Sequence, residues 1–404
     1  MSREQAAGTA ALRWALANPD PGRTLYDGSA GLLVALAEAH LCDVPSFARS
    51  AHEIRDDLVS WVDTCPGVAG DAAEGSHADG SLYNGLAGTA TSLQVWAAAT
   101  GDDLAAAAAQ RALAILGQAA VDPSRPPRLD DLLTGTAGWL LALLRATPLP
   151  LDGIARLSDR LVSAAIPAGD GYDWRMGQGV PSVFTGYSHG AAGICAALAQ
   201  AAAPLNRPEL LDLARAGAAR LLAIGRQTDG SVVLPRLLNE SPAAGPSFGW
   251  CHGPTGTLRL FRLLDRLDPG GGWADAVDGC RRAVRSSGLP TRRWPGFWDN
   301  VGQCCGTAGV GEMALDAYQE TEDPQWLSWS VELADDVLAL SRSDSDGRYW
   351  QNVEHTRTPA ELPPRSGWAM GASGVGSWLL RLDRVRRTGP LATALVRADG
   401  LPPR

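Results

Sequence analysis

The chain has 404 residues, 45% hydrophobic and 20% charged, the balance of a globular protein able to bury a large core. Its formal net charge is −9 with no basic block, which argues against nucleic acid and anionic membrane as main partners. All 35 basic residues are Arg, which excludes Schiff-base chemistry, a pyridoxal linkage and a phosphate-binding P-loop lysine.

The start, Met1-Ser2-Arg3-Glu4-Gln5, lacks the charged-then-apolar pattern of a signal peptide. Unbroken apolar runs such as 139–144 are too short to cross a bilayer. A soluble, cytoplasmic protein is the expectation. Further along the chain a glycine pair, spaced Gly-x-x-Gly and followed by an apolar run, recurs seven times. Its members are Gly28 and Gly31, Gly85 and Gly88, Gly135 and Gly138, Gly190 and Gly193, Gly253 and Gly256, Gly306 and Gly309, and Gly371 and Gly374. One such pair carries almost no information, but seven at intervals of 50 to 65 residues mark an internal repeat.

The runs after the pairs, such as 32–39 and 257–264, are apolar on most faces, as in a helix buried on several sides. Between them lie amphipathic stretches: 104–120, 209–224 and 326–340. In the second, Leu210, Leu213, Ala214, Gly217 and Leu221 share one face while Asp212, Arg215 and Arg220 point away. The unit is an outer amphipathic helix, a loop, the glycine pair and an inner helix. The prediction is an all-α protein, a seven-repeat α/α toroid with a double ring of inner and outer helices. The first glycine of each pair is expected in a turn closed to residues with a Cβ, the second where backbones approach closely. The inner-helix N-termini, with free N–H donors, would meet at one end as a place for an anion or a metal-bound thiolate. Proline-rich 121–128 and 361–365 read as loops. Ring closure implies one domain, 1–395, and a loose tail, 396–404.

Reactive residues gather at the glycine loops. Asp130 and Asp131 precede Gly135, His189 precedes Gly190, Cys251 and His252 precede Gly253, and Cys304 and Cys305 precede Gly306. If the loops meet, these thiols and imidazoles converge as zinc donors do, a catalytic site keeping one position open. Seven cysteines at irregular spacing do not read as a disulfide framework. Cys42, Cys65, Cys195 and Cys280 read as small buried hydrophobes. His40, His52, His77 and His355 lie outside the motifs and read as surface or packing residues. Trp250 either lines the site or packs the core.

Here the chain resembles the LanC-like family, over essentially 28–378. The pieces are Gly-x-x-His-Gly at 186–190, Trp-Cys-x-Gly at 250–253, and Cys304-Cys305-Gly306 where the family has Cys-His-Gly. The resemblance implies an α/α toroid with zinc at one end. It also implies a cyclase that adds a peptide Cys thiol to dehydroalanine or dehydrobutyrine, giving (methyl)lanthionine. By motif position it assigns His189 to proton transfer and Asp131 to its support, and implies a dehydrated precursor peptide as partner, with a lanthipeptide dehydratase upstream. Cys305 stands where the family's ligand His stands, a variant carried by some multidomain members. The preferred zinc set is therefore Cys251, Cys304 and Cys305, against Cys251, Cys304 and His252. An Arg that some members carry shortly before Trp-Cys is replaced by Pro246-Ser247-Phe248. Within the family, addition of another thiol such as glutathione stays open. Outside it, a glycosidase would need opposed carboxylates, whereas Asp130 and Asp131 are adjacent. A zinc prenyltransferase would need basic residues for a diphosphate, and a peptide-binding scaffold would not need His189 and the cysteines.

Overall fold

The computed structural model describes residues 1–65, 67–68, 79–122, 127–177, 179–239, 245–291, 300–353, 358 and 360–397. His77, His355, the loop centre 123–126 and the tail beyond 397 lie outside them.

The described helices are α1 (Arg3–Ala17), α2 (Ser29–Leu41), α3 (Ala48–Asp63), α4 (Leu86–Thr100), α5 (Asp103–Val121), α6 (Thr136–Leu143) and α7 (Leu151–Ser163), then α8 (Ala191–Ala202), α9 (Pro208–Gly225), α10 (Pro254–Leu267), α11 (Trp273–Arg285), α12 (Thr307–Thr321), α13 (Pro324–Ala339) and α14 (Ala372–Thr388). Every even-numbered helix begins at the residue after the first glycine of a pair, so each of the seven repeats read from the sequence has its inner helix. These helices are buried nearly all round: α8 buries every residue from Ala191 to Ala199. The odd-numbered helices bury a stripe. In α11 the buried positions include Trp273, Ala276, Val277, Cys280, Ala283 and Val284, the three-and-four spacing of one helical face.

Three antiparallel two-stranded pairs interrupt the helical pattern: β1 (Ile166–Ala168) with β2 (Gly171–Asp173), β3 (Arg342–Ser343) with β4 (Arg348–Tyr349), and β5 (Asn352–Val353) with β6 (Glu361–Leu362). The last places a strand at 361–362, where the proline-rich sequence reads as loop.

By contact the chain divides into two compact units, one of 1–63, 91–109 and 288–404, the other of 64–90 and 110–287. In the first, α14 packs against α2 and α12, with α3 on α2, α13 on α12 and α1 on α14. The first outer helix thus completes the last repeat. Each remaining outer helix here pairs with the inner helix before it, rather than with the one after it as the sequence unit was drawn. The cause is loop length: links as short as 321–324 make consecutive helices antiparallel neighbours. In the second unit α6, α8 and α10 pack side by side and carry α7, α9 and α11. α5 is long and apolar enough, by length and mean hydropathy of 1.4, to cross a membrane, and half of it is buried within the structure. Counting unbroken apolar runs overlooked it because Gln110 and Arg111 interrupt the alanines.

The first unit holds a buried ionic network. Arg381 donates to Asp316 and Gln319 at 2.8 and 2.6 Å and pairs with Glu312, while Arg384 contacts Glu38. Arg397, the last described residue, pairs with Asp316 at 2.6 Å and Glu312 at 2.8 Å. Removing one partner of such a buried set leaves an uncompensated charge, which is the costly change.

The glycines act through space rather than through backbone angle. Gly306 has an extended backbone, φ −153°. A Cβ there would lie 2.5 Å from the Gly302 amide nitrogen and 2.6 Å from the Asn300 carbonyl. The loop folds back over the first helical turn, and the helix N-terminal amides donate into it. Thr307, Ala308 and Gly309 donate to Asn300, Val301 and Gly302 at 3.3, 3.0 and 3.3 Å. The amides expected to be free for an anion are therefore already used. The second glycine admits the neighbouring repeat: a Cβ on Gly193 would meet Leu132 Cβ at 2.9 Å as well as the Tyr187 carbonyl. Overpacking at such a position costs about 1–3 kcal/mol. Gly193→Ala should lower stability by about that amount in urea unfolding, and an unchanged midpoint would show that the loop has room to spare.

Candidate functional site

The loops that carry the reactive residues are tied to one another by main-chain hydrogen bonds at one repeated position, two residues before each first glycine. In the second unit, Tyr83 N–H donates to the Leu133 carbonyl at 3.0 Å, Leu133 to Ser188 at 3.1 Å, and Ser188 to Cys251 at 3.2 Å. In the first unit, Cys304 donates to Ala369 and Ala369 to Tyr26, both at 2.9 Å. The next position, directly before the glycine, carries Asp27, Asn84, Thr134, His189, His252, Cys305 and Met370. The register of the belt therefore sets which side chains stand side by side.

His189 and Asp131 are joined by a hydrogen bond. His189 Nδ1 lies 2.5 Å from Asp131 Oδ2, with His189 partly exposed and Asp131 fully buried. The other Asp131 oxygen accepts from the Thr134 amide at 3.0 Å and the Thr134 hydroxyl at 2.9 Å. Asp131 is thus an acceptor at both oxygens, and Nδ1–H donation to it leaves Nε2 to exchange a proton. Its neighbour Asp130 has a different task, accepting from Arg160 at 2.6 Å and from the Thr136 hydroxyl at 2.9 Å. These two carboxylates do not oppose each other as a glycosidase pair.

His252 stacks on His189, ring centroids 5.5 Å apart and planes at 29°, and on Phe184 at 5.6 Å and 28°. Burial, then the charges of His189 and Arg236, push its imidazole down to about 3, so the ring is neutral near pH 7. Its Nδ1 is buried without a partner among the described residues. Trp250 packs inward, 4% exposed, against Tyr83 and Tyr187 at 5.3 and 6.1 Å. Phe248 and Ser247 are buried.

The ligand atoms of Cys251, Cys304 and Cys305 all lie within 4.8 Å of one another. The sulfurs of Cys304 and Cys305 are 3.5 Å apart. Two sulfurs on one tetrahedral zinc, at about 2.3 Å from it, stand about 3.8 Å apart. Adjacent residues reach one ion because 303–305 form a turn before the helix, not helix itself. Burial alone pushes the Cys305 thiol up to about 12, so a cation is what would make it a thiolate near neutral pH. Cys251 and Cys304 are disulfide-bonded in this structure and Cys305 is free, contrary to the expectation of no disulfide. With both reduced, the three sulfurs are donors that fit a metal ion such as zinc, and the cluster could hold one. His252 is not part of it. Cys42, Cys195 and Cys280 are buried packing residues as expected, and Cys65 is half-buried.

Sequence reasoning missed Tyr26. Its hydroxyl donates to Cys304 Sγ at 3.3 Å. Burial first, then the neighbouring charge at Cys305, raises the phenol pKa further above its ordinary value. Aligning the seven loops on their glycines would have placed Tyr26 and Cys304 at equivalent positions. Thr134 and Arg236 were missed as well, and neither belongs to a motif.

Residues 20–387 match the family model described as lanthionine synthetase C-like protein. The chain belongs to that family. Among solved structures it is similar to nisin cyclase, with a TM-score of 0.60 and 17% identity over 91% of this chain and 90% of that one. It is also similar to a D-mannose isomerase, TM-score 0.53 and 14% identity over 81% and 97% of the two chains. An unsaturated glucuronyl hydrolase specific for heparin gives a TM-score of 0.51 and 13% identity over 89% and 99%. At these identities the likenesses show the fold, the α/α toroid, which in this family is of the lanthionine-cyclase type. A search of the curated proteins found no significant sequence relative.

The donor assignment is open to a direct titration. Wild-type protein is expected to take up one equivalent of zinc, Cys251→Ala, Cys304→Ala and Cys305→Ala to lose tight binding, and His252→Ala to keep it. Full zinc in Cys305→Ala with loss in His252→Ala would reverse the choice of third ligand.

Proposed function

We propose that the protein is a zinc-dependent lanthionine synthetase, closing thioether rings in a dehydrated lanthipeptide precursor. The observations that carry this reading are a cluster of three cysteines and a carboxylate-held imidazole, His189, each on a glycine loop of a chain of this family. Cys251, Cys304 and Cys305 would hold the ion, which supplies a binding position and a lowered pKa for the peptide's Cys thiol.

The protein's own residues handle the protons. His189, donating from Nδ1 to Asp131, offers Nε2 as the base that takes the thiol proton. The sulfur pair forms the new C–S bond at the β-carbon, and the C=C pair moves into an enolate. The imidazolium, held in place by buried Asp131, returns its proton to the α-carbon. The neutral His252 ring against its face adds no competing charge. The chemistry requires a dehydratase that removes water from Ser or Thr of the precursor beforehand.

The test uses zinc-loaded protein and a dehydrated peptide with an internal Cys. Thioether formation without mass change is expected, and His189→Ala should keep its zinc while turning over about 10²–10⁴-fold more slowly. Unchanged turnover in that variant would remove His189 from the mechanism. Addition of external glutathione with no ring closure would replace peptide cyclisation by intermolecular thiol addition.

A further inference from the structure

We infer that Tyr26 is a positioning residue of the metal centre, its hydroxyl drawing charge from the Cys304 sulfur and so setting how electron-rich the thiolate set is. The inference rests on the reading of Cys251, Cys304 and Cys305 as metal ligands, and it concerns the reduced protein, since Cys251 and Cys304 are disulfide-bonded in this structure; every measurement below is made on protein reduced before metal is added.

Three thiolates around a dication carry a net charge of −1, and a fourth from the substrate makes it −2. Hydrogen bonds to charged sulfur are the available means of spreading that charge, because charge-assisted bonds are roughly twice as strong as neutral ones. Tyr26 stands where such a bond is needed, 3.3 Å from Cys304 Sγ. The contact is fixed by main chain rather than by a long flexible side chain. The Tyr26 carbonyl accepts from Ala369 N–H at 2.9 Å, and the Ala369 carbonyl accepts from Cys304 N–H at 2.9 Å. The phenol and the Cys304 sulfur therefore sit on loops locked in register through a third loop. The acceptor side is suited to it: a thiolate takes a hydrogen bond that a thioether or a buried apolar group would not, and a phenol is a donor near neutral pH.

Partners of metal ligands in the surrounding shell commonly govern affinity by 10- to 100-fold. Tyr26→Phe removes the hydroxyl and leaves the ring and the backbone bonds. Cobalt is the probe, since its sulfur-to-metal charge-transfer band reports the ligand thiolates without any turnover. In the variant this band should move to lower energy, and zinc affinity at pH 7, measured by competition with a chromophoric chelator, should fall about 10- to 100-fold. The melting temperature of the metal-free protein should be unchanged. Superimposable cobalt spectra together with zinc affinities within twofold would overturn the inference. Should the variant fail to fold, wild-type protein made with 3-fluorotyrosine, a stronger donor, should shift the band to higher energy, and no shift there would overturn it equally. The two layers fail differently. If wild-type protein takes up no stoichiometric cobalt, the metal reading itself is wrong. If it does and the spectra coincide, only the role of Tyr26 is lost.

Discussion

A hydrogen bond between equivalent peptide groups of successive glycine loops is the constraint on which the site depends. It recurs from Tyr83 to Leu133, Ser188 and Cys251, and again from Cys304 through Ala369 to Tyr26. Each bond consumes one N–H and one C=O of residues whose backbone is otherwise irregular, which answers the demand that buried polar groups be paired. It also fixes the pitch between loops, so a side chain placed directly before the glycine in one repeat meets its counterpart in the next. His189 against His252 is that relation made visible. The glycines serve the same end. With a Cβ at Gly306 or Gly193 the loop could not close over its own helix or against its neighbour.

The electrostatics of the loops follow from burial. The Cys305 thiol is pushed up by desolvation, and His252 is pushed down by the same cause before the charges of His189 and Arg236 add to it. Both groups are neutral in the protein by itself near pH 7. Each Asp131 oxygen receives a hydrogen bond, one from Thr134 and one from His189. The loops of the second unit thus hold one well-satisfied carboxylate and one imidazole oriented by it, and in the first unit the Cys305 thiol would need a cation to ionise. In the first unit, Glu312 and Asp316 of α12 balance Arg381 of α14 and Arg397 of the C-terminal segment. This set holds the C-terminal segment on the first unit.

Much of this was legible beforehand. The seven glycine pairs located the inner helices, which begin three residues before the apolar runs read from the sequence, because the packing of a loop against a helix start leaves no tolerance for a side chain there. The three cysteines were also singled out from their positions before Gly253 and Gly306, and their ligand atoms lie within 4.8 Å of one another. Less legible was how helices pair. Short links after each inner helix decide that, and the first helix, α1, finds its partner α14 at the other end of the chain. The short strand pairs were not foreseen, since segments of two or three residues such as Glu361–Leu362 carry no periodicity to read.

The sequence by itself determined the repeat, the helix starts, the family and the residue types brought to the loops, because each of these is a local pattern of volume and polarity repeated along the chain. Only the tertiary structure decided that the helix N-terminal amides are occupied by their own loops, that His252 is stacked in neutral form rather than a member of the cysteine cluster, and that Tyr26 donates to Cys304. The reason is physical. Each of those outcomes depends on distances between residues far apart in the chain, Tyr26 and Cys304 above all, and such distances are fixed by main-chain bonds between loops that leave no mark on which amino acid is chosen.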